Sequence, residues 1–445
     1  MTGLPGFTVD IDQNPYLPVG GQDVSAIVTV TADATGDVPA PSGSGAGGAA
    51  GPAGTTGSAE VIIVDCSGSM DYPPDKLVAA RAATAAAVDV IKDGTWFAIV
   101  AGTSTAWPVY PPDGTMVVAN ERSRTEARQA LRGLRANGGT AIGQWLRLAQ
   151  QIFQHSPAAL RHAILLTDGK NQHETPEELA AAISLCEGTF RCDCRGIGTD
   201  WVVSELRKIS TALLGTVDIV VDPAALAADF ESMARDAMSK HLPDVLLRVW
   251  TPQNAALKFV KQVAPAISDL TGRRLATGAQ AGDYPTGAWA PGESRDYHVA
   301  VSVHPAALGQ EMLAARVSLV ASSADGQRVL GQGLIRVTWT DDEALSARIN
   351  PHVASYTGQA ELAAAIQEGL EANKRGDEEL ATARLGRAVA LAREAGNEDM
   401  ARLLANVVDV VDEATGTVRL KKKVDAAAEM ALDTRSTKTV RVKKG

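Results

Sequence analysis

Two carboxylates and three hydroxyls carry the most specific chemistry in this sequence: Asp65, Ser67 and Ser69 in VIIVDCSGSM, Thr140 in NGGTAIG, and Asp168 in ILLTDGK. Each follows an apolar strand-like run or sits in a Gly-rich turn, so together they read as one oxygen-lined site at the carboxyl edge of a parallel sheet. Such a site holds a divalent metal. Hard oxygen donors with so few charges suit Mg2+ or Mn2+ better than Zn2+, which draws on His or Cys. An Asp-x-Ser-x-Ser string alone fits equally well a strand end whose side chains cap the next helix. The context of the other two residues turns the string into a site.

That context is a set of strand-to-helix loops. VIIVD is a continuous apolar run, the pattern of a strand covered on both faces. After it, Pro74 opens the Ala-rich segment DKLVAARAATAAAVDVIKDG, with Leu77, Thr84, Val88 and Ile91 on one helical stripe and Gly94 as a stop. RTEARQALRGLRANGG reads as a helix ending at Gly138 and Gly139, and Thr140 then opens a second helix, AIGQWLRLAQQIFQHS, with Ile142, Leu146, Ile152 and Phe153 on its apolar side. HAILLTD is another buried strand and delivers Asp168 at its end.

These residues resemble the metal-ion-dependent adhesion site of the von Willebrand factor A domains. Asp65-Cys66-Ser67-Gly68-Ser69 matches the family's Asp-x-Ser-x-Ser, Thr140 its separate Thr, and Asp168 its second Asp, over roughly residues 59 to 240. The resemblance implies a doubly wound, mostly parallel α/β sheet. It implies a bound Mg2+, with Mn2+ or Ca2+ as alternatives, held through the hydroxyls of Ser67, Ser69 and Thr140 and, directly or through water, by Asp65 and Asp168. One coordination position is left for an Asp or Glu carboxylate of a partner protein. It also implies that the last helix, PAALAADFESMARDAMSKHL, can shift when the metal changes ligand.

The rest of the 445-residue chain is long enough for two to four domains in all. Residues 36–58, GDVPAPSGSGAGGAAGPAGTTGS, read as a flexible linker. Strand-like pieces within residues 1–35, GFTVDID and QDVSAIVTVTAD, cannot form a domain alone. Their expected partners are the short β-like runs of residues 241–345, an antiparallel β-sandwich into which the 59–240 domain is inserted. Residues 346–415 turn helical, with Gly376 and Gly396 as stops, as a three-helix bundle or a tetratricopeptide-like hairpin. Residues 416–445 read as a basic tail, either solvated or, through Thr434, Ser436, Thr437 and Thr439, a phosphorylation segment for a kinase and a forkhead-associated type of reader.

Several function classes fall away. A net charge of −10 argues against general nucleic-acid binding. No run approaches the roughly 18 apolar residues of a spanning helix, and no export signal opens the sequence, so the expectation is a cytoplasmic protein of bacterial type without membrane partners. The chain has no Gly-x-Ser-x-Gly elbow, no His-Glu-x-x-His pair and no phosphate loop, since Gly169-Lys170 is followed by Asn171. The expectation is therefore a non-enzymatic, metal-dependent protein-binding scaffold in signalling, with a subunit coupled to an AAA+ ATPase in trans, of the chelatase or MoxR-like kind, as the alternative. His162 opens a strand far from the metal. Cys186, Cys192 and Cys194 are expected to be buried and reduced rather than zinc-bound, and Cys66 to face inward.

Overall fold

The computed structural model describes residues 6–34, 57–73, 75–323 and 326–441. They form two compact units: Met1–Ser42 with Asp244–Gly445, and Gly43–Pro243. The linker reading for 36–58 and the helix start at Pro74 fall outside the described residues, apart from Gly57 and Ser58.

The chain opens with β1 (Phe7–Gln13), β2 (Tyr16–Pro18) and β3 (Asp23–Ala32), which belong to the first unit. The second unit then runs β4 (Ser58–Asp65), α1 (Asp75–Val90), β5 (Trp96–Gly102), β6 (Ala106–Tyr110), β7 (Val117–Val118), α2 (Glu121–Leu131), α3 (Ile142–Gln154), β8 (Leu160–Thr167), α4 (Pro176–Cys186), β9 (Arg191–Ile197), α5 (Val203–Ala212), β10 (Val217–Val220) and α6 (Leu226–Ser239). Its sheet has the order β10-β9-β8-β4-β5-β6, with β7 also on β5. The strands from β10 to β5 are parallel, and β6 and β7 run antiparallel to β5. The first strand of this unit, β4, thus lies in mid-sheet between β5 and β8, and the connections leave it toward both edges.

Both faces of that sheet are covered, which is why its strands read as unbroken apolar runs. Val61, Ile62, Ile63 and Val64 have no solvent exposure. On one face Ile62 and Val64 join Ala80, Ala83, Ala87 and Val88 of α1 and Phe230, Met233 and Ala234 of α6 in a single core. The Ala-rich stripe of α1 lets α6 approach closely.

In this unit α2 differs from its sequence reading. The expected helix 124–139 is α2, which starts and stops earlier. Asn120 caps it, accepting from Ser123 N at 3.0 Å while Ser123 Oγ accepts from Asn120 N at 2.9 Å. Residues 132–139 leave the helix because their backbone bonds elsewhere: Asn137 N donates to Cys66 O at 2.8 Å, and Gly68 N to Gly138 O at 2.9 Å.

The first unit continues with β11 (Leu242–Trp250), β12 (Ala255–Ala264), β13 (Ser268–Asp269), β14 (Leu275–Ala276), β15 (Ala281–Trp289), β16 (Ser294–Val303), β17 (Glu311–Ser323) and β18 (Gly326–Thr340), then α7 (Glu343–Ser346), α8 (Pro351–Lys374), α9 (Glu378–Glu394), α10 (Glu398–Val407), β19 (Val408–Asp412), β20 (Thr417–Leu420) and α11 (Ala426–Arg435). Two sheets result, β1-β3-β16-β12-β13 and β14-β15-β11-β17-β18-β2. In them β3 pairs antiparallel with both β1 and β16, and β2 pairs parallel with β18. The Phe7 ring of one sheet meets Trp289 of the other edge-on at 5.2 Å.

The helical segment and the reading of a C-terminal tail both need correction. The α8–α9 hairpin ends its helices at Gly376 and Gly396, both at positive φ, but α10 leads into the β19–β20 hairpin rather than another helical repeat. Beyond it, residues 416–441 are ordered rather than tail-like. Thr434 is buried and donates to Met430 O, and Ser436 is buried and donates to Asp433 O. Thr437 O accepts from Ile267 N at 2.8 Å, and Thr439 N donates to Pro265 O at 3.1 Å. A kinase would reach Thr434 or Ser436 only after α11 opened. None of the described helices is long and apolar enough to cross a membrane.

Candidate metal centre

Three loops of the second unit deliver the five residues to one place. Asp65 is the last residue of β4, and the loop after it carries Ser67 and a short 3-10 turn, Gly68–Asp71, that holds Ser69. Asp168 follows β8 directly. Because β4 and β8 are hydrogen-bonded neighbours, both carboxylates emerge side by side at the same sheet edge. Thr140 comes from the long loop between α2 and α3.

The hydroxyls converge on Gly169. A Cβ there would lie 3.0 Å from Thr140 Oγ1, 3.3 Å from Ser69 Oγ and 3.7 Å from Ser67 Oγ, so any side chain at this position would crowd the Thr140 and Ser69 hydroxyls. Ser67 Oγ is 3.0 Å from Ser69 Oγ, and Ser69 Oγ donates to Asp168 Oδ1 at 2.6 Å. Asp65 is fixed from both sides: its Oδ1 accepts Ser67 N at 2.7 Å and its Oδ2 accepts Thr167 Oγ1 at 2.5 Å. Asp65, Ser67, Thr140 and Asp168 are buried, and Ser69 is half-buried. Burial pushes the Asp65 carboxyl up to about 6, partly offset by the hydrogen bonds from Ser67 and Thr167. An anionic oxygen cluster this dry calls for a cation. The donors, two carboxylates and three hydroxyls, fit a small hard divalent ion.

Thr140 is available for this role because it does not cap α3. The N-cap of that helix is Ala141, which offers no side-chain acceptor. Caps arrive instead from the segment after Asp168: Asn171 Oδ1 accepts Ile142 N at 2.8 Å and Glu174 Oε1 accepts Gly143 N at 2.6 Å. His173 Nδ1 accepts Thr140 N at 3.2 Å, and its ring fills the space where a Cβ on Gly139 would fall, 1.9 Å from Cε1. Asn171, His173 and Glu174 therefore lock the Thr140 loop to the Asp168 loop. The sequence reading missed them, and the poor cap at Ala141 was the one available signal.

It also missed Lys76. This second residue of α1 is buried, and its Nζ lies 2.7 Å from Asp168 Oδ2 and 3.6 Å from Asp200 Oδ2. A cation thus already sits beside the proposed ligands.

His162 lies where the sequence put it, toward the start of β8, six residues and roughly 20 Å of strand before Asp168. It is part of a separate buried ionic cluster. Its Nδ1 is 2.8 Å from Glu60 Oε1 on β4, and its Nε2 is 2.8 Å from Asp193 Oδ2 on β9. Burial alone would lower the His162 pKa, but the Glu60 charge and the hydrogen bonds to both carboxylates push it up to about 9.

All four cysteines are free and buried. Burial pushes the Cys186 and Cys66 thiols up to about 12, and a hydrogen bond with Cys194, then burial, raises Cys192. Among the described residues no three His, Cys, Asp or Glu are grouped to hold a metal. The oxygen site has only two such residues because its other donors are hydroxyls.

This geometry can be set against known proteins. The sequence matches the von Willebrand factor type A domain over residues 59–219 and the von Willebrand factor type A C-terminal domain over residues 390–436. A solved structure described as von Willebrand factor type A from Catenulispora acidiphila is 51% identical, covering 99% of this chain and 98% of that one with a TM-score of 0.91. The ArnB paralog VWA2 from Sulfolobus acidocaldarius shares the fold at 13% identity, with coverage of 97% and 98% and a TM-score of 0.61. No curated protein matches. Since a relative of 51% identity spans nearly the whole chain, this protein belongs to the von Willebrand factor type A family.

Proposed function

We propose that the protein is a non-enzymatic, divalent-metal-dependent scaffold that binds a partner protein's Asp or Glu carboxylate at the Asp65–Ser67–Ser69–Thr140–Asp168 site. Domains of this family commonly mediate protein interactions. The observation that carries the reading is the convergence of Thr140, Ser69 and Ser67 hydroxyls over Gly169 beside two buried carboxylates.

Mg2+, or Mn2+ or Ca2+, would be held by those five residues, and when bound it supplies a strong electrostatic bond to an incoming carboxylate. The chain's own part is to keep that bond available. Only Asp65 and Asp168 bring negative charge, no more than a divalent ion carries, and the hydroxyl donors add none, so the ion can still attract a further carboxylate. Gly68 is exposed and Ser69 half-buried at the rim, which gives a partner side chain a way in. Nearby, Tyr72 is 84% exposed, an apolar ring free to cover the contact.

The test is binding of a candidate partner with Mg2+, with EDTA, and with Asp65→Ala or Asp168→Ala. Loss of binding in EDTA and in both variants, with restoration by Mg2+ for the wild type alone, is the expected result. Binding that ignores the chelator and both substitutions would show that the site does not carry the interaction. An ATPase eluting with chelator would identify the partner class as the trans-acting machine.

A further inference from the structure

Lys76 has no counterpart among the five donors, yet it makes the shortest ion pair of the site. Its ammonium is 2.7 Å from Asp168 Oδ2, and the two side chains are 6% and 0% exposed. Asp168 Oδ1 is meanwhile occupied by Ser69 Oγ. Both oxygens of one proposed metal ligand are therefore already taken, one of them by a full positive charge. The path of the lysine is also built. Its stem passes Gly198, where a Cβ would meet Lys76 Cε at 3.4 Å, and the backbone there is at φ +66. Gly198 lies just past β9, and the same loop supplies Asp200, whose carboxylate is 71% exposed and 3.6 Å from Nζ.

We propose that Lys76 is a resident counter-ion that competes with the metal for Asp168: it keeps divalent affinity low, and metal entry moves its ammonium toward Asp200. The proposal rests on the metal reading of the site. A buried carboxylate without a partner is costly, so one cation or another must compensate Asp168. Lysine does so in the metal-free state. A divalent ion held by Asp168 would repel that ammonium strongly in so dry a place. Asp200 offers it a second partner at the price of little motion, because Nζ already lies 3.6 Å from its carboxylate. Metal occupancy is thereby read out in the loop after β9, which contributes no ligand.

An ordinary structural lysine, one that merely holds Asp168 in position, makes the opposite prediction. Its loss would leave metal binding unchanged or weaker, while loss of a competitor tightens it. Calorimetric titration of the full chain with Mn2+ and with Mg2+ would compare wild type, Lys76→Met, Lys76→Arg and Asp65→Asn. Lys76→Met should bind metal about tenfold or more tightly than wild type, and Lys76→Arg, which keeps the charge, should stay near wild type. Equal or weaker binding by Lys76→Met overturns the proposal. If wild type binds, Asp65→Asn does not, and Lys76→Met matches wild type, the counter-ion idea fails alone and the metal site stands. If none of the four binds, both fall together.

Should Lys76→Met not fold, the wild type still decides. Acetic anhydride labelling read by mass spectrometry should find Lys76 protected in EDTA and labelled faster with saturating Mn2+, relative to surface lysines such as Lys170. Unchanged or slower labelling with Mn2+ overturns the proposal.

Discussion

At the scale of single residues, Asp65 shows what the site costs the fold. It is fully buried, and burial holds its carboxyl at about 6 against an ordinary 3.8. The sign follows. Between those two values the folded protein keeps a proton that the unfolded chain has released, so stability falls as pH rises through that window and the cost is complete above about pH 6. Asparagine removes the charge and keeps both contacts: its oxygen can accept Ser67 N, and its amide can donate to Thr167 Oγ1. In chelator at pH 7.5, Asp65→Asn should therefore be more stable than wild type by roughly 1–3 kcal/mol, a gain that shrinks as pH falls toward 4. It should also lose the stabilisation that Mg2+ gives the wild type. Urea titrations with EDTA and with Mg2+ measure both, and a metal-free Asp65→Asn less stable than wild type would refute the argument. The place of Asp65 at a strand end was legible in the sequence because the apolar run VIIVD before it reads as a covered strand. Lys76 was not, because a lysine in a first helical turn reads as solvated until the Asp168 and Asp200 loops are placed around it.

At the scale of elements, strands were legible where burial is two-sided and helix ends were not where the cap comes from another segment. VIIVD and HAILLTD could only be interior strands, and they are β4 and β8. The sequence shows α3 opening after Thr140 but not what caps it, and Asn171 and Glu174 do so across the loop. Replacing Asn171 by Ala should then cost about 1 kcal/mol in chelator and also weaken Mn2+ binding, since the Thr140 loop loses its anchor. If calorimetry showed unchanged metal affinity, the cap would be a local matter only. Cross-strand charge was equally invisible: Glu60, His162 and Asp193 are far apart in sequence and adjacent in the sheet. The raised His162 contributes stability that is complete below the unfolded pKa near 6.5 and is lost as pH rises through about 9. Glu60, raised by burial, acts in the same direction at lower pH, while Asp193, held below the usual range by His162 despite burial, adds stability that is lost only in acid. Unfolding free energy should decline between pH 6.5 and 9 in the wild type and stay flatter in His162→Gln. Parallel slopes for the two proteins would show that His162 is not charged in the fold.

At the scale of the whole molecule, the chain holds two units with separate interiors. The core around Phe230 and Ile62 belongs to the second unit, and those around Leu385 and Tyr356 belong to the first. Composition alone gave the number of cores only as a range, since apolar content does not say which strands share a sheet. The proposed ligands all lie in the second unit. The last described residues lie in the first, where Arg441 bonds Ser294 Oγ and Asp296, Val440 exchanges two hydrogen bonds with Gln359, and Tyr356 Oη donates to Asp296 Oδ2 at 2.5 Å. Two perturbations should then act on different transitions. Calorimetric scanning should resolve two unfolding steps. Mg2+ at about a hundred times its dissociation constant should stabilise one of them by about 2.7 kcal/mol. Removal of residues 437–445 should lower the other, because buried Asp296 loses the Arg441 guanidinium and Gln359 loses both backbone partners. A single step moved by both treatments would mean that the two units unfold as one, and the assignment of metal and C-terminal segment to separate cores would have to be abandoned.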